Sequence, residues 1–419
     1  MPGTWQRLTR VVHAFQIYFV VGLAVGPMIV AAVAQSVGNH PHTALYASVG
    51  EELITFNVDV EHATLMRQAS TLMPGFVQEA WASPSAPFIY VAWSNGGSSY
   101  AASGVTPRGD QHGVTAFRID GTGALHPEGA VASLRSRPIH ITGDARARHL
   151  IVAYNDPSGL SVHTINADGT IGSEVKQAAS IDAGIYGHQV RVLPTNDAVV
   201  LVTRGNEPTA TTREDPGALK VFRYNDGMLS DEVSIAQSNG IGFRSRHLDF
   251  HPTGPWVYLT LEAQNRLLVY RRIDHGLSAA PIFNKATLAD GTGVKAGQTA
   301  STVHVHPNGR FVYVGNRGSA AGATNNIAVF RIDTATGEPT LIQNIDTQGS
   351  TPRTFSIDPS GRLLVVGNQV TTSGANARPA NLAVFRIHED GQLEFVDRYV
   401  VAVGQKPLWW MGIVGSHTS

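Results

Sequence analysis

Four side chains in this sequence stand where packing does not explain them: His188, Arg246, Glu262 and Arg317. Each lies at the start or end of an apolar run. An ionisable group there adds nothing to a core, and burying it without partners costs on the order of several kcal/mol. As a set they could do acid–base and oxyanion chemistry: a His and a Glu can move protons, and two guanidiniums can hold an anion. His140, His247, His304, Arg353 and Gln369 occupy equivalent places elsewhere in the chain and are candidates for substrate contact, although His247 reads equally well as a structural histidine. His251 and His306, each before Pro, read as turn residues without a role in function. Asp144 and Asp358 read as turn caps, and Arg118, Arg223, Arg331 and Arg386 as solvated outer residues.

The elements that must position these groups repeat. Residues 304–333 show the unit plainly: HVHP, an Asn-Gly turn, the apolar run FVYVGN, a loop, then NNIAVFRID. Asn308-Gly309 tolerates positive φ, and the runs are rich in the β-branched and aromatic residues that strands prefer. Apolar pairs recur at 44–50 with 53–58, 88–93 with 113–120, 149–155 with 161–166, 199–203 with 219–224, 256–261 with 266–271, 311–315 with 327–333, and 363–368 with 382–387. Seven copies at roughly 45–60 residue spacing predict the blades of a propeller. The run before each turn is the innermost strand, the run after it the second, the VFR-type run the third, and a weaker segment the outer fourth. Residues 393–414 are expected to complete a sheet begun at the N-terminus. The fold class is therefore all-β: a seven-bladed β-propeller, one domain over residues 40–419. In such a ring, inner-strand starts and second-strand ends share one mouth of the central channel, so residues distant in sequence converge.

The chain has 419 residues, a net charge of −1, 15% charged residues and no Cys. A near-neutral balance argues against nucleic acid as a partner. Without Cys there are no disulfides, thiolate metal sites or Cys nucleophiles. Arg7 and Arg10 precede an almost wholly apolar stretch, 14–34, that ends in Ala32-Val33-Ala34. This reads as a secretory signal peptide over 1–34, giving a periplasmic or secreted protein with no stable membrane association after cleavage. The alternative is an uncleaved anchor at 14–34, since about 20 apolar residues can span a bilayer. A monomer is the default for a propeller.

No G-x-S-x-G elbow, H-E-x-x-H, P-loop or Gly-rich dinucleotide turn occurs. The segments RHLDFHPTGPWVYLTLE, HVHPNGRFVYVGNRG, NNIAVFRIDTATGEPTLIQ, TPRTFSIDPSGRLLVVGNQ and NLAVFRI resemble the seven-bladed propeller lactonase family. That family includes propeller-type 6-phosphogluconolactonases and the fungal carboxymuconate-lactonising enzyme. The resemblance covers most of residues 244–387 closely and the earlier blades more loosely. It implies that His188, Arg246, Glu262 and Arg317 are catalytic, with Glu262 or His188 as general base on a water and the two arginines holding an oxyanion and a substrate carboxylate or phosphate. It implies a small-molecule lactone as substrate, with no cofactor and no metal. The sequence departs from the family pattern at Thr203-Arg204-Gly205, at Leu261, and in the long polar loop 206–217. Export argues against a phosphorylated sugar lactone, which is cytosolic. Two further readings remain open: a lactonising or cycloisomerase enzyme using the same residues, and a non-catalytic exported propeller that binds a ligand or protein.

Overall fold

The computed structural model describes residues 43–97, 109–236, 244–320, 322–372 and 377–415. The signal-peptide reading of 1–34 lies outside them. The described strands form seven antiparallel sheets, and no helix occurs among the described residues. The inner strands of blades 2 to 7 are Phe76–Ala82, Pro138–Gly143, Gly187–Val192, Ser245–Phe250, Gln298–Val305 and Pro352–Ile357. Blade 5 is the irregular one: Gly276–Leu277 and Phe283–Ala286 both pair with its third strand, Arg266–Ile273.

Burial follows the expected strand order. The second strands His149–Asn155, Ala198–Thr203, Trp256–Leu261 and Leu363–Asn368 are buried at every residue. The outer strands, such as Leu125–Ser133 and Leu393–Val400, are largely open to solvent. A strand buried on both faces needs apolar side chains on both faces, which explains the continuous runs. The core is accordingly divided between blades. One cluster joins Val200 and Val202 of blade 4 to Leu248, Leu259 and Leu268 of blade 5. Another joins Tyr313 and Ile327 of blade 6 to Phe355 and Leu364 of blade 7.

The expectation for the tail needs correction. Leu393–Val400 is the outer strand of blade 7, pairing with Asn381–Ile387. Only Leu408–Gly415 joins the N-terminal sheet, as the inner strand of blade 1 beside Thr43–Val49. This pairing closes the ring, because it puts the last strand next to the first.

Repeated polar latches tie neighbouring blades. Tyr46, Tyr90, Tyr258 and Tyr313 each donate a hydroxyl hydrogen bond of 2.8–3.0 Å to the carbonyl of Gly123, Gly169, Gly337 and Gly391 in the next blade. Gly391 must be glycine: its φ is +86°, and a Cβ would lie 2.2 Å from the Phe311 ring. His251 and His306 likewise bond the Gly309 and Gly361 carbonyls at 2.8 Å and are buried. They do sit in turns, but they also hold blade to blade. Asp144 and Asp358 cap their turns as expected, accepting amide hydrogen bonds from residues four and five positions on. Tyr313→Phe leaves the Gly391 carbonyl unsatisfied and should lower unfolding stability by about 1 kcal/mol, read as a shifted denaturant midpoint with an unchanged slope.

Candidate functional site in the central channel

All seven inner strands carry a register shift at the same level. In blades 2, 3, 4 and 7 the extra residue is Gln78, Ile139, His188 and Arg353. In blades 5, 6 and 1 the irregular pair is Arg246-His247, Ser301-Thr302 and Trp409-Trp410. A bulge frees a residue from the ladder and re-aims its side chain. Here the re-aimed residues form a ring, and nearly all of them line one channel cavity together with Glu79 and Thr354. Hydroxyls from neighbouring blades brace the bulges: Ser245 donates to the Thr203 carbonyl at 2.8 Å, and Ser301 to the Pro352 carbonyl at 2.9 Å.

Above blades 4 to 6 the four leading candidates meet. Arg246 Nη1 lies 3.1 Å from His188 Nε2 and 3.3 Å from Glu262 Oε2. Arg317 Nη2 donates to Glu262 Oε1 at 2.8 Å and to the Ala300 carbonyl at 3.2 Å. A third guanidinium joins them: Arg204 Nε is 3.0 Å from Glu262 Oε2. Arg204, Glu262 and Arg317 follow or end the second strands of three successive blades, so the repeat itself brings them together. The Glu262 backbone is fixed on both sides, its amide bonded to the Arg244 carbonyl and its carbonyl to the Ala300 amide, each at 2.9 Å.

The electrostatics follow from this geometry. Burial pushes the Glu262 carboxyl up, but Arg246, Arg317 and Arg204 outweigh it and hold the group well below the usual range. Burial and the nearby Arg317 push Arg246 down to about 9, with Glu262 opposing. Burial, then Arg246, Arg204 and Arg353, keep His188 far below its ordinary value, so the ring is neutral. Arginine can only donate, so His188 Nε2 must accept and the ring proton sits on Nδ1. That Nδ1 has no protein partner, and neither do Arg246 Nε, Arg246 Nη2 or Arg317 Nε. The cluster thus holds several buried donors without a protein partner.

Of the other candidates, His140, His247 and Arg353 are at or beside the ring. The His247 ring centroid lies 5.1 Å from that of His188 and 6.1 Å from that of His140. His247 Nδ1 is 3.0 Å from the Thr302 hydroxyl, a structural partner. The Arg353 guanidinium carbon lies over Trp409, 3.5 Å from the ring centroid. His304 lies apart from the four-residue cluster: it pairs with Asp249 at 3.6 Å and packs edge-on against Phe355. Gln369 is not drawn in either; its amide bonds the Thr351 carbonyl and its carbonyl accepts from Leu408. Asn316 and Asn368, at the same strand ends, tie loops through Thr287 and Thr347.

Sequence reasoning missed four contributors to the site. Arg204 stood out as a departure from the family pattern, yet its place after a second strand matches that of Glu262. Glu79 follows the bulged residue of the blade 2 inner strand as His140 follows that of blade 3. Trp409 and Trp410 line the cavity as well as closing the ring.

A model of the "Lactonase, 7-bladed beta-propeller" family matches residues 49–407. A 6-phosphogluconolactonase of Pectobacterium carotovorum is 27% identical over 80% of this chain and 88% of its own length. That of Bacillus subtilis is 27% identical over 68% of this chain and 76% of its own. Among solved structures, a periplasmic gluconolactonase of Pseudomonas aeruginosa superposes with a TM-score of 0.69 at 21% identity, covering 89% of this chain and 99% of its own. The match over residues 49–407, on a ring of seven sheets, assigns the chain to the seven-bladed β-propeller lactonase family.

Proposed function

We propose that this chain hydrolyses a lactone at the channel mouth, with His188, Arg246, Glu262 and Arg317 touching the substrate. The observation that carries the reading is the array around Glu262: three guanidiniums on one ionised carboxylate, with unpartnered donors left on Arg246, Arg317 and His188. Attack on a lactone carbonyl places negative charge on its oxygen. Preorganised donors stabilise that charge, typically by 10²–10³-fold in rate for about one donor. Glu262 keeps the array assembled by neutralising part of it. Counting Arg204, Arg246, Arg317 and Arg353 against Glu262 leaves an excess of positive charge, which favours a lactone bearing a carboxylate or phosphate. Arg353, stacked on Trp409, is the cation placed to hold that group.

No ion enters the proposed mechanism, and no group of three or more His, Asp or Glu suited to a metal occurs among the described residues. The basic, apolar N-terminal sequence and the likeness to a periplasmic gluconolactonase support a site of action outside the cytoplasm. The test is proton release by the full chain on glucono-, phosphoglucono- and muconolactones, beside Glu262→Gln. One lactone should turn over and the variant should lose at least about 10²-fold in kcat/KM. Background rates throughout the panel sink the reading.

A further inference from the structure

The reading above leaves the nucleophile without a base. Glu262 is held ionised by three cations and has little proton affinity. His188 offers only its Nδ1–H, because its Nε2 faces Arg246. A second carboxylate lies in the same channel. Glu79 lines the ring cavity with His188, Arg246 and Arg353. That cavity is tight, about 20 Å³, room for about one water. On its other side Glu79 borders a larger cavity of about 300 Å³, which His140 and Arg191 also line. Glu79 therefore separates a single-water space beneath the donor array from a wider reservoir.

We propose that Glu79 is the general base of the reaction, drawing the proton from a water seated beneath the His188–Arg246 array; this rests on the lactonase reading. The water oxygen bonds to the lactone carbonyl carbon as its proton passes to a Glu79 carboxylate oxygen. The carbonyl π pair moves onto oxygen, where Arg246 receives it. Collapse re-forms the carbonyl and breaks the bond to the ring oxygen, which takes the proton back from Glu79. The product is the open hydroxy acid.

The surroundings of Glu79 suit that role. Its carboxylate accepts a long 3.3 Å hydrogen bond from the Ala80 amide and one from the Trp410 side chain. Among the described residues no ion pair holds it, in contrast with Glu262. Burial pushes it up to about 8, and the Ala80 amide, Arg353, the Trp410 indole and Arg191 oppose this without reversing it. The histidines around it are kept neutral by burial first, then by Arg246 at His188 and His247 and by Arg191 at His140. A base that titrates near the working pH is the effective kind.

The test is Glu79→Gln in the full chain, measured on a lactone that the wild type opens. The wild-type kcat/KM should rise with pH through about 8 and level off. The variant should lose about 10²–10⁴-fold in kcat, keep KM within about twofold, and lose that pH limb. Melting curves check folding and give a second readout. The folded pKa is raised from 4.5, so the stability Glu79 contributes is present below 4.5 and lost as pH rises through about 8. Melting of Glu79→Gln should lack that decline. A variant within about threefold of wild type, or one slowed with its pH profile unchanged, overturns the assignment and leaves the lactonase reading standing. A wild type that opens no lactone brings down both.

Discussion

Arg246→Met should cost about 10²–10³-fold in kcat/KM while leaving the protein nearly as stable as the wild type at neutral pH. The two halves of this expectation have different causes. Arg246 offers Nε and Nη2 to the site without protein partners, and its Nη1 fixes the His188 tautomer. Losing it removes two donors directly and frees the imidazole to place its proton on either nitrogen, so the oxyanion loses more than one hydrogen bond. Stability behaves differently because Arg246 is itself costly to bury, as its lowered proton affinity shows. Methionine removes that cost and fills similar space, and removing one member of a buried ion pair is costly only where it leaves the other charge uncompensated. Glu262 also keeps Arg317 and Arg204.

The difference should appear in acid. A carboxyl with a depressed folded pKa stabilises the fold above its unfolded pKa and loses that contribution as pH falls through the folded value. With one cation gone the depression shrinks. Less stability is then lost on acidification, so the acid-unfolding midpoint of Arg246→Met should lie at lower pH than that of the wild type. Turnover within about threefold of wild type would remove Arg246 from the chemistry; an unmoved acid midpoint would show that its charge does not govern Glu262.

The repeat made most of the fold legible. Each HP or DP turn, apolar run and VFR run fixes one inner, second and third strand, and their spacing fixes the blade count. Outer strands were harder to read. After its first position Leu393–Val400 has five exposed residues and two half-buried ones, so it carries little apolar signal to set it apart from the closing strand. The site was legible where polar residues interrupted apolar runs, as at His188, Arg246, Glu262 and Arg317. It was illegible where position depended on a bulge. No single-residue rule shows that Glu79, Trp409 and Arg353 share a cavity, because this follows from register shifts in three different blades. Gln369 shows the converse: a polar residue at the right repeat position whose recorded bonds are backbone ones.

Removing residues 408–419 should abolish cooperative folding. The lost strand, Leu408–Gly415, pairs with Thr43–Val49 from Thr43 opposite Gly415 to Val49 opposite Leu408. Leu408, Trp409, Trp410 and Met411 are at most 8% exposed. At about 1.5–3 kcal/mol for each large side chain buried, these four contribute roughly 6–12 kcal/mol, comparable with the whole net stability of a typical domain. The loss is also spread over two interfaces: Leu408 and Met411 belong to the core between blades 1 and 7, Trp409 and Trp410 to that between blades 1 and 2. Blade 1 would be left with an open edge and both flanking cores breached. A three-stranded remnant cannot be isolated as a local defect, since every other blade is held by its neighbours. The measurement is a thermal or denaturant melt of the truncated chain followed by circular dichroism. A single cooperative transition near the wild-type midpoint would show that the ring does not depend on its closing strand. If the transition is lost, adding the missing strand as a peptide should restore it, because the vacated edge keeps the backbone donors and acceptors that the strand had paired.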